Sequence, residues 1–310
     1  MNALLDVVLV AGLLALALHV ARARDDQGAI VGFIAFGFLL GLGWVRLASI
    51  DVALTEAAIG GGVTGLLLLR VEAHTRDSSA PDRTARPITI AAAAVLCIAV
   101  TAGLAFVILN LPSPPPTQAP AAAAALDATG LENPVTAVLL AYRALDTLLE
   151  KVVLILALVG VWSLAPDHLW GGAPELRPAV VPEPLSYLAR VLPPFGVLIA
   201  VYMFWVGADA PGGTFQAGTI LAAMWLLVML AGLRAAPDTR RVTLRLLLIV
   251  GPAVFLAVGF LGFAMAGGFL AYPAGAAKPI ILGIEAALTL SIAVTLGMLV
   301  SGPSKRAPTS

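Results

Sequence analysis

The sequence predicts an all-α membrane protein, a polytopic bundle of about nine transmembrane helices with the N-terminus outside and the C-terminus inside. Composition is the first observation: of 310 residues, 60% are hydrophobic and 12% are charged, and the mean hydropathy is +0.99. A water-soluble domain carries about 25% charged residues, so this composition fits a bilayer as its solvent. The other two observations are the recurrence of long apolar runs and the placement of lysine and arginine between them.

Nine apolar runs are predicted membrane helices, because each approaches the ~20 residues that cross about 30 Å of hydrocarbon. They cover residues 3–21, 28–45, 52–71, 88–110, 147–165, 188–206, 215–233, 244–268 and 279–300. In a bilayer each run must pair its own backbone polar groups, which favours helices, and the alternation of barrel strands is missing. The first run lacks a basic leader and contains Asp6, which favours a membrane helix over a cleaved signal peptide.

The loops differ strongly in basic residues, which sets the predicted orientation. With the N-terminus outside, 14 of the 18 lysines and arginines fall on the inner side. These are Arg22, Arg24, Arg70, Arg76, Arg83, Arg86, Arg177, Arg190, Arg234, Arg240, Arg241, Arg245, Lys305 and Arg306. Arg46, Arg143 and Lys278 fall outside, and Lys151 lies just within a run. The alternation supports an odd number of spans.

Two proline-rich linkers divide the chain. Residues 111–132 form a Pro- and Ala-rich outer loop, and residues 166–187 carry five prolines on the inner side. The predicted parts are residues 1–87 with three spans, 88–165 with two spans, the linker 166–187, and 188–310 with four spans.

Several function classes find no support. The formal net charge is zero, so no basic field indicates nucleic acid. The one cysteine, Cys97, lies in an apolar run, where a buried thiol acts as a small hydrophobic side chain. The sequence has no phosphate-binding loop, dinucleotide fingerprint, zinc motif or histidine cluster. We therefore predict neither an enzyme nor a bound cofactor or metal.

Ionisable residues inside the spans are the candidates for function, because each costs roughly 2.5–3.5 kcal/mol at mid-membrane. They are Glu56, Glu150 with Lys151, and Glu285, with Asp6 and His19 as marginal members. In the predicted orientation the three glutamates lie in the outer third of the membrane. One hydrated pocket open to the outside would serve all three.

Glu56 precedes a run of glycines in DVALTEAAIGGGVTG, residues 51–65. Glycines such as Gly60 and Gly61 allow neighbouring helices to approach closely and loosen the helix, so a bulge or kink is plausible here. The alternative is a helix-end carboxylate in water, near Asp51 and Arg46. The phrase resembles the small hydrogenase-type (MbhD-like) domain at the C-terminal end of the A subunit of Mrp-type Na+/H+ antiporters.

The phrase NPVTAVLLAYRALDTLLE, residues 133–150, resembles the MbhE-like segment that follows that domain. The matching positions are Asn133, Val135, Arg143, Asp146, Thr147 and Glu150, and the departures are Thr136, Ala141 and Leu149. On a helix, Arg143 and Asp146 form an i, i+3 pair, which is either an ion-path element or a structural surface pair. Lys151 points away from Glu150 and is predicted to snorkel to the outer surface.

The phrase GADAPGGTFQAG, residues 207–218, separates two apolar runs. Pro211 fixes φ, Gly212 and Gly213 permit positive φ, and Thr214 can cap the helix that follows. The free N–H groups of that helix start favour a carboxylate partner. The phrase resembles the signature loop of the Mrp B subunit (MnhB/MrpB family). Ala208 stands where that family carries a histidine, so a proton-relay role of that histidine does not carry over.

Glu285, in KPIILGIEAALTLSIAV, resembles the IE-x-G-V segment near the end of B subunits. It has no charged neighbour at i±3 or i±4, so its partner must come from another helix or subunit. It is either an ion-path carboxylate or a protonated, hydrogen-bonded core residue.

These resemblances cover most of the chain and imply a fused accessory, path-forming subunit of an Mrp-type antiporter in the inner (plasma) membrane. The implied partners are large A- and D-like subunits, small C-, E-, F- and G-like subunits, the lipid bilayer, and monovalent cations with protons. The alternative is a membrane subunit of a membrane-bound hydrogenase or another complex I-like pump. A third possibility is a non-transporting assembly scaffold.

Overall fold

The computed structural model describes residues 2–75, 86–114, 116–176 and 180–308, and within these residues the chain is helical with no strand. The α-helices are α1 (Asn2–Arg22), α2 (Asp26–Arg46), α3 (Ile50–Thr55), α4 (Gly65–Thr75), α5 (Pro87–Leu109), α6 (Ala119–Ala124), α7 (Pro134–Ala137), α8 (Ala144–Trp162), α9 (Glu183–Val206), α10 (Thr214–Leu230), α11 (Val242–Ala266) and α12 (Ala277–Ser301). Two π-helical segments, Glu56–Thr64 and Val138–Tyr142, and two 3₁₀ turns, Leu126–Thr129 and Asp167–Leu169, complete the described helical structure.

The first three spans form one unit in which α1 packs on α2, and α2 packs on α3, the first π segment and α4. At one end of this unit the Arg46 side chain of α2 pairs with Asp6 of α1 at 2.7 Å. The alternative interpretation of Glu56 expected Arg46 and Asp51 near it, but Arg46 pairs with Asp6 because α1 lies against α2. A Cβ at Gly37 of α2 would lie 3.1 Å from Gly61 Cα, so the two backbones touch. The bulge expected near Gly60 and Gly61 is therefore a π segment in close contact with α2.

α5 has no buried residue along its whole length. Its side chains are apolar on every side, which suits a helix that contacts lipid or another protein. The thiol of Cys97 lies on this helix and is not covered by any other described part of the chain.

The segment after the outer loop is interrupted at Arg143, whose φ of −129° and ψ of 37° end the second π segment before α8 begins. The amide of Arg143 still donates to the carbonyl of Val138, a π-type bond. This break leaves the carbonyls of Leu139 and Leu140 without helical partners. Thr147 Oγ1 donates to Leu139 O at 2.6 Å, and Tyr272 Oη donates to Leu140 O at 2.7 Å.

The last four long helices form a second unit with α12 at its centre. α12 packs on α9, α10, α11 and α8, and Ile281, Ile284, Leu288 and Ile292 are fully buried along it. α9 begins at Glu183, five residues earlier than the predicted span, and contains Pro193 and Pro194. The three-helix unit joins this one where its π segment contacts α10.

Arg70 ties the two units together at the other end of the bundle. Its guanidinium is half-buried and donates to the carbonyl of Val300, near the end of α12. A second nitrogen lies 3.5 Å from the carbonyl of Glu175 in the linker. Of the other basic residues used for orientation, Arg76, Arg83 and Arg177 lie outside the described residues.

Seven of the described helices are long and apolar enough to cross a membrane, and the chain is a multi-pass membrane protein. They are α1, α2, the continuous stretch Ile50–Ala73, α5, α9, α11 and α12. The remaining two predicted spans fall on α8, which carries Asp146, Glu150 and Lys151, and on α10, which is 17 residues long. The count of nine spans and the orientation of the termini stay predictions.

Candidate functional site

The loop between α9 and α10 folds back on the end of α9. Gly213 has a φ of 120°, which favours glycine, and its amide donates to Met203 O at 2.8 Å. A Cβ at Gly212 would lie 2.6 Å from the same carbonyl, so this position needs glycine for space. The expectation of positive φ is confirmed for Gly213, whereas Gly212 is required by close packing. Pro211 is exposed at the apex of the loop.

The sequence favoured a carboxylate partner for the free N–H groups at the start of α10. The amide of Gly212, two residues before α10 begins, has such a partner in Asp51. Gly212 N donates to Asp51 Oδ1 at 3.0 Å. Asn133 Nδ2 donates to the carbonyls of Gly207 and Ala210 at 3.0 Å each and lies 3.5 Å from the same Asp51 oxygen. The starts of α3, α7 and α10 are thus joined at one polar junction.

Thr214 does not cap α10, contrary to the prediction. It is the first residue of the helix, Gly213 holds the N-cap position, and no side-chain cap is made. Thr214 Oγ1 instead donates to Glu285 Oε1 at 3.0 Å. The hydroxyl points into the bundle because α12 passes beside the start of α10.

Glu285 is 2% exposed and lies about a third of the way along α12, near the buried apolar residues Ile281, Ile284 and Leu288. As predicted, its hydrogen-bond partner comes from another helix, through Thr214. Its second oxygen, Oε2, is buried and has no hydrogen-bond partner among the described residues. A buried polar atom of this kind usually contacts water or an ion, or belongs to a group with a chemical role.

Lys151 is also 2% exposed, and the prediction that it snorkels outward is wrong. Its Nζ lies 3.6 Å from the centroid of the Phe215 ring of α10, an attractive cation–π geometry. Within the described part of the chain Nζ has no hydrogen-bond partner. The side chain turns inward because α8 packs against α12, which places this face of α8 in the interior.

A cavity of about 210 Å³ brings these groups together. Its charged and polar lining comes from Asp51, Thr55, Thr136, Thr147, Glu150, Lys151, Thr214, Gln216 and Glu285. Gln216 Nε2 donates to Thr55 Oγ1 at 3.2 Å, which links the MbhD-like phrase to the start of α10. The volume holds several water molecules or a partly hydrated small cation.

The expectation that one pocket would serve all three glutamates is wrong for Glu56. Glu150 and Glu285 line the cavity, whereas Glu56 does not. Its carboxyl lies against Gly60 of its own π segment and close to Gly37 of α2. The π segment turns Glu56 toward α2, away from α10, so it forms a separate candidate site.

The predicted pair of Arg143 and Asp146 is present at 2.6 Å, with both side chains largely exposed. Thr147, next to Asp146, is buried and donates a hydrogen bond to the Leu139 carbonyl. The exposed pair and the buried threonine therefore lie on different faces at the start of α8. No group of three or more potential metal ligands occurs within the described residues.

Sequence reasoning missed Gln216, Phe215 and Tyr272. The first two lie in the GADAPGGTFQAG phrase, where the polar Gln216 in the first turn of an apolar helix was an available signal. Tyr272 had no local signal, since its partner carbonyl is 132 residues away.

Two family models match parts of the chain. Residues 184–304 match the domain related to the MnhB subunit of Na+/H+ antiporters, and residues 11–77 match MbhD, one of the MBH subunits. The chain is therefore similar to Mrp-type antiporter subunits, with an MbhD-like part and an MnhB-like part. The MbhD-like and MnhB-like resemblances stated from the sequence are confirmed, and the MbhE-like resemblance of residues 133–150 stays a prediction.

Solved structures agree in fold. A chain of the Mrp complex from Dietzia sp. DQ12-45-1b is similar with a TM-score of 0.74 and 25% identity, covering 98% of this chain and 35% of that one. This chain therefore spans about a third of that relative. A chain of the archaeal membrane-bound sulfane sulfur reductase gives a TM-score of 0.55 at 24% identity, over 69% of this chain and 97% of that one. The search of curated proteins gave no match.

The cavity lies where the matched parts meet. Asp51 and Thr55 belong to the MbhD-like part, whereas Thr214, Gln216 and Glu285 belong to the MnhB-like part. Glu150 and Lys151 come from the stretch between the two matches. No single part supplies the whole lining.

Proposed function

We propose that this chain is an accessory, ion-path-forming membrane subunit of a multisubunit Mrp-type monovalent cation/proton antiporter. The observation that carries the proposal is the shared cavity of Lys151, Glu150 and Glu285, in which Lys151 Nζ and Glu285 Oε2 lack hydrogen-bond partners within the described residues. Buried ionisable groups in a membrane are costly and mark ion or proton pathways.

The carboxylates of the cavity can be balanced either by the Lys151 ammonium or by a bound cation, but not by both at once. With Lys151 protonated, its ammonium balances the nearby carboxylates from its place over Phe215. When a monovalent cation enters beside Glu285 and Glu150, it balances the same carboxylates, and Lys151 releases its proton. One positive charge leaves as one arrives, so the charge of the cavity is conserved. Asp51 at the rim is the further titratable group that lines this space.

Glu56 is a second candidate point on the path, at a site of its own. No hydrogen bond or ion pair joins it to another described residue, and it borders the contact between α2 and the first π segment. A neighbouring subunit would complete its surroundings. Arg143 and Asp146 lie at the exposed outer end of α8 and would face the same neighbours.

The partners would be large A- and D-like subunits and small C-, E-, F- and G-like subunits in the plasma membrane. Residues 88–165 would form the middle part between the MbhD-like and MnhB-like parts, with the linker 166–187 after it. α5, which has no buried residue, would contact lipid or these subunits. Expressed alone in antiporter-deficient cells, the chain should give no exchange; robust exchange by the single purified chain in liposomes would contradict an accessory role.

Lys151 gives the direct test. In inverted vesicles that contain all the subunits, Lys151→Gln should lower cation-driven proton movement about tenfold or more, while the yield of assembled complex stays normal. Lys278→Gln is the matched control, because this lysine forms a partly exposed pair with Asp209 outside the cavity. Full exchange by a normally assembled Lys151→Gln complex would refute the proposed role of the cavity.

The membrane topology belongs to the same proposal: nine spans, with α8 and α10 crossing and the N-terminus outside. A reporter that is active only outside should be active after Thr117 or Gly275 and inactive after Ser79, Pro237 or Ser310. Activity after Pro237 would contradict this topology.

A second candidate function keeps the fold and changes the complex. The similarity to the archaeal sulfane sulfur reductase chain favours a complex I-like assembly driven by a redox arm. Mass spectrometry of the purified native complex separates the two. Large antiporter subunits among the partners support the antiporter, and iron–sulfur or [NiFe] subunits support the redox-driven pump.

A further inference from the structure

A second cavity, of about 660 Å³, lies at the opposite end of the bundle from the cavity that Glu150, Lys151 and Glu285 line. It is bordered by three arginines, Arg240, Arg241 and Arg306, and by one acidic residue, Asp238. The rest of its lining is alanine, proline and valine. The cavity is therefore basic, and no role proposed above uses it.

The backbone around this cavity is fixed by hydrogen bonds between three segments far apart in sequence. Thr239 N and Arg240 N donate to the carbonyls of Gly172 and Gly171 at 3.0 and 3.1 Å. Arg306 N donates to Ala173 O at 3.1 Å, and Ser304 Oγ donates to Gly172 O at 2.7 Å. The linker, the loop before α11 and the C-terminal segment thus hold the arginines in place.

The cavity opens where a membrane span begins. Arg241 is the N-cap residue of α11, and Val242 both lines the cavity and starts this 25-residue apolar helix. Further along α11, about one and two turns after Val242, Leu246 and Ile249 are exposed apolar residues. A basic cavity thus adjoins an apolar helix surface at the level where lipid headgroups lie.

We propose that this cavity binds the phosphate headgroup of an anionic phospholipid, with the acyl chains lying along α11. Arginine guanidinium groups form paired hydrogen bonds with phosphate oxygens, and basic pockets beside membrane helices bind anionic headgroups. A soluble phosphate would use the arginines but not the exposed Leu246 and Ile249. The lipid would brace the junction of linker, loop and C-terminal segment, independently of ion exchange.

The test is native mass spectrometry of the detergent-solubilised full chain titrated with phosphatidylglycerol or with phosphatidylcholine of the same acyl chains. The wild type should bind phosphatidylglycerol about tenfold or more tightly than phosphatidylcholine. Arg241→Gln with Arg306→Gln should remove this preference, and the two lysine substitutions should retain part of it. Arg22→Gln with Arg24→Gln, which removes the same charge away from the cavity, should keep the preference.

Three results would overturn the proposal. One is equal binding of the two lipids by the wild type. Another is an equal loss in the cavity variant and the Arg22/Arg24 control, which would indicate only a general charge effect. The third is displacement of phosphatidylglycerol by an equal concentration of inorganic phosphate, which would assign the arginines to a free anion. Unchanged thermal unfolding of the glutamine variants checks that they remain folded.

Discussion

Both π segments are irregular stretches of helix that contacts with other parts of the chain must stabilise, and the two are stabilised in different ways. The first, Glu56–Thr64, contains three consecutive glycines and lies against Gly37 of α2, with backbone touching backbone. The second, Val138–Tyr142, contains no glycine. It is held by hydroxyl groups, since Thr147 and Tyr272 bond the carbonyls that the helix break leaves free.

This difference explains why only the first π segment was foreseen. Glycine loosens a helix through its own backbone, so its effect is visible in the local sequence. A hydroxyl that satisfies a distant carbonyl has no local signature. The segments also differ in the carboxylates near them: the first carries its own, Glu56, whereas the second borders a cavity whose carboxylates come from other helices.

The largest expected effect concerns the cavity beside the second π segment. Glu285→Gln keeps size and hydrogen bonding but removes the titratable oxygen, so exchange in vesicles should fall about tenfold or more while the complex still assembles. Glu285→Asp should retain part of the exchange. Glu183→Gln, at an exposed position at the start of α9, is the control and should be silent. Normal transport in an assembled Glu285→Gln complex would make Glu285 a packing residue.

The next largest effect is expected from disturbing the close backbone contact between the first π segment and α2. A Cβ at Gly37 would meet the backbone of Gly61, so Gly37→Ala should lower the free energy of unfolding by roughly 1–3 kcal/mol. Gly43, on the same helix, has no atom within 4 Å of an added Cβ, so Gly43→Ala should be neutral or stabilising. Unfolding of the detergent-solubilised chain measures both. Equal effects would show that helix propensity, not the contact, is responsible.

A smaller effect is expected from the hydroxyl that supports the second π segment. Tyr272→Phe removes the bond to the Leu140 carbonyl and should cost about 1 kcal/mol of unfolding free energy. Tyr202→Phe is the matched control, because Tyr202 is exposed on α9. A loss of equal size in the control would contradict the assigned role.

The burial of Tyr272 should also make the stability of the fold depend on pH in the alkaline range. Burial raises the pKa of Tyr272 from 10.0 to about 12, so the folded state holds the phenol proton more tightly than the unfolded state. Its contribution is complete below about pH 10 and is lost as the pH rises toward about 12. Tyr272→Phe should therefore reduce the loss of stability over this range, and an unchanged alkaline profile would contradict the buried environment.

The smallest effect concerns the exposed pair that follows the second π segment. Arg143→Gln removes the contact with Asp146, but exposed ion pairs contribute little, so the stability should change by less than about 0.5 kcal/mol. A loss well above that value would mean that the pair supports the helix break at Arg143. The comparison between the two π segments would then have to include charge.

The sequence by itself determined the helical membrane fold, the first π segment and the family resemblance. Long apolar runs can satisfy their backbone in a bilayer only as helices, and that requirement is local. The glycines after Glu56 act on their own backbone, and the phrases around Gly212 and Glu285 carry the family resemblance in a few contiguous residues.

Only the tertiary structure decided where the charged side chains point. Lys151 turns inward because α8 packs against α12, and its Nζ then lies over the Phe215 ring of α10. Glu285 is hydrogen-bonded by Thr214, which is 71 residues away in sequence. Glu56 is separated from the cavity because its π segment faces α2. Each of these positions depends on which helix packs against which face, and that choice is made by contacts between residues far apart in the chain, which no local pattern encodes.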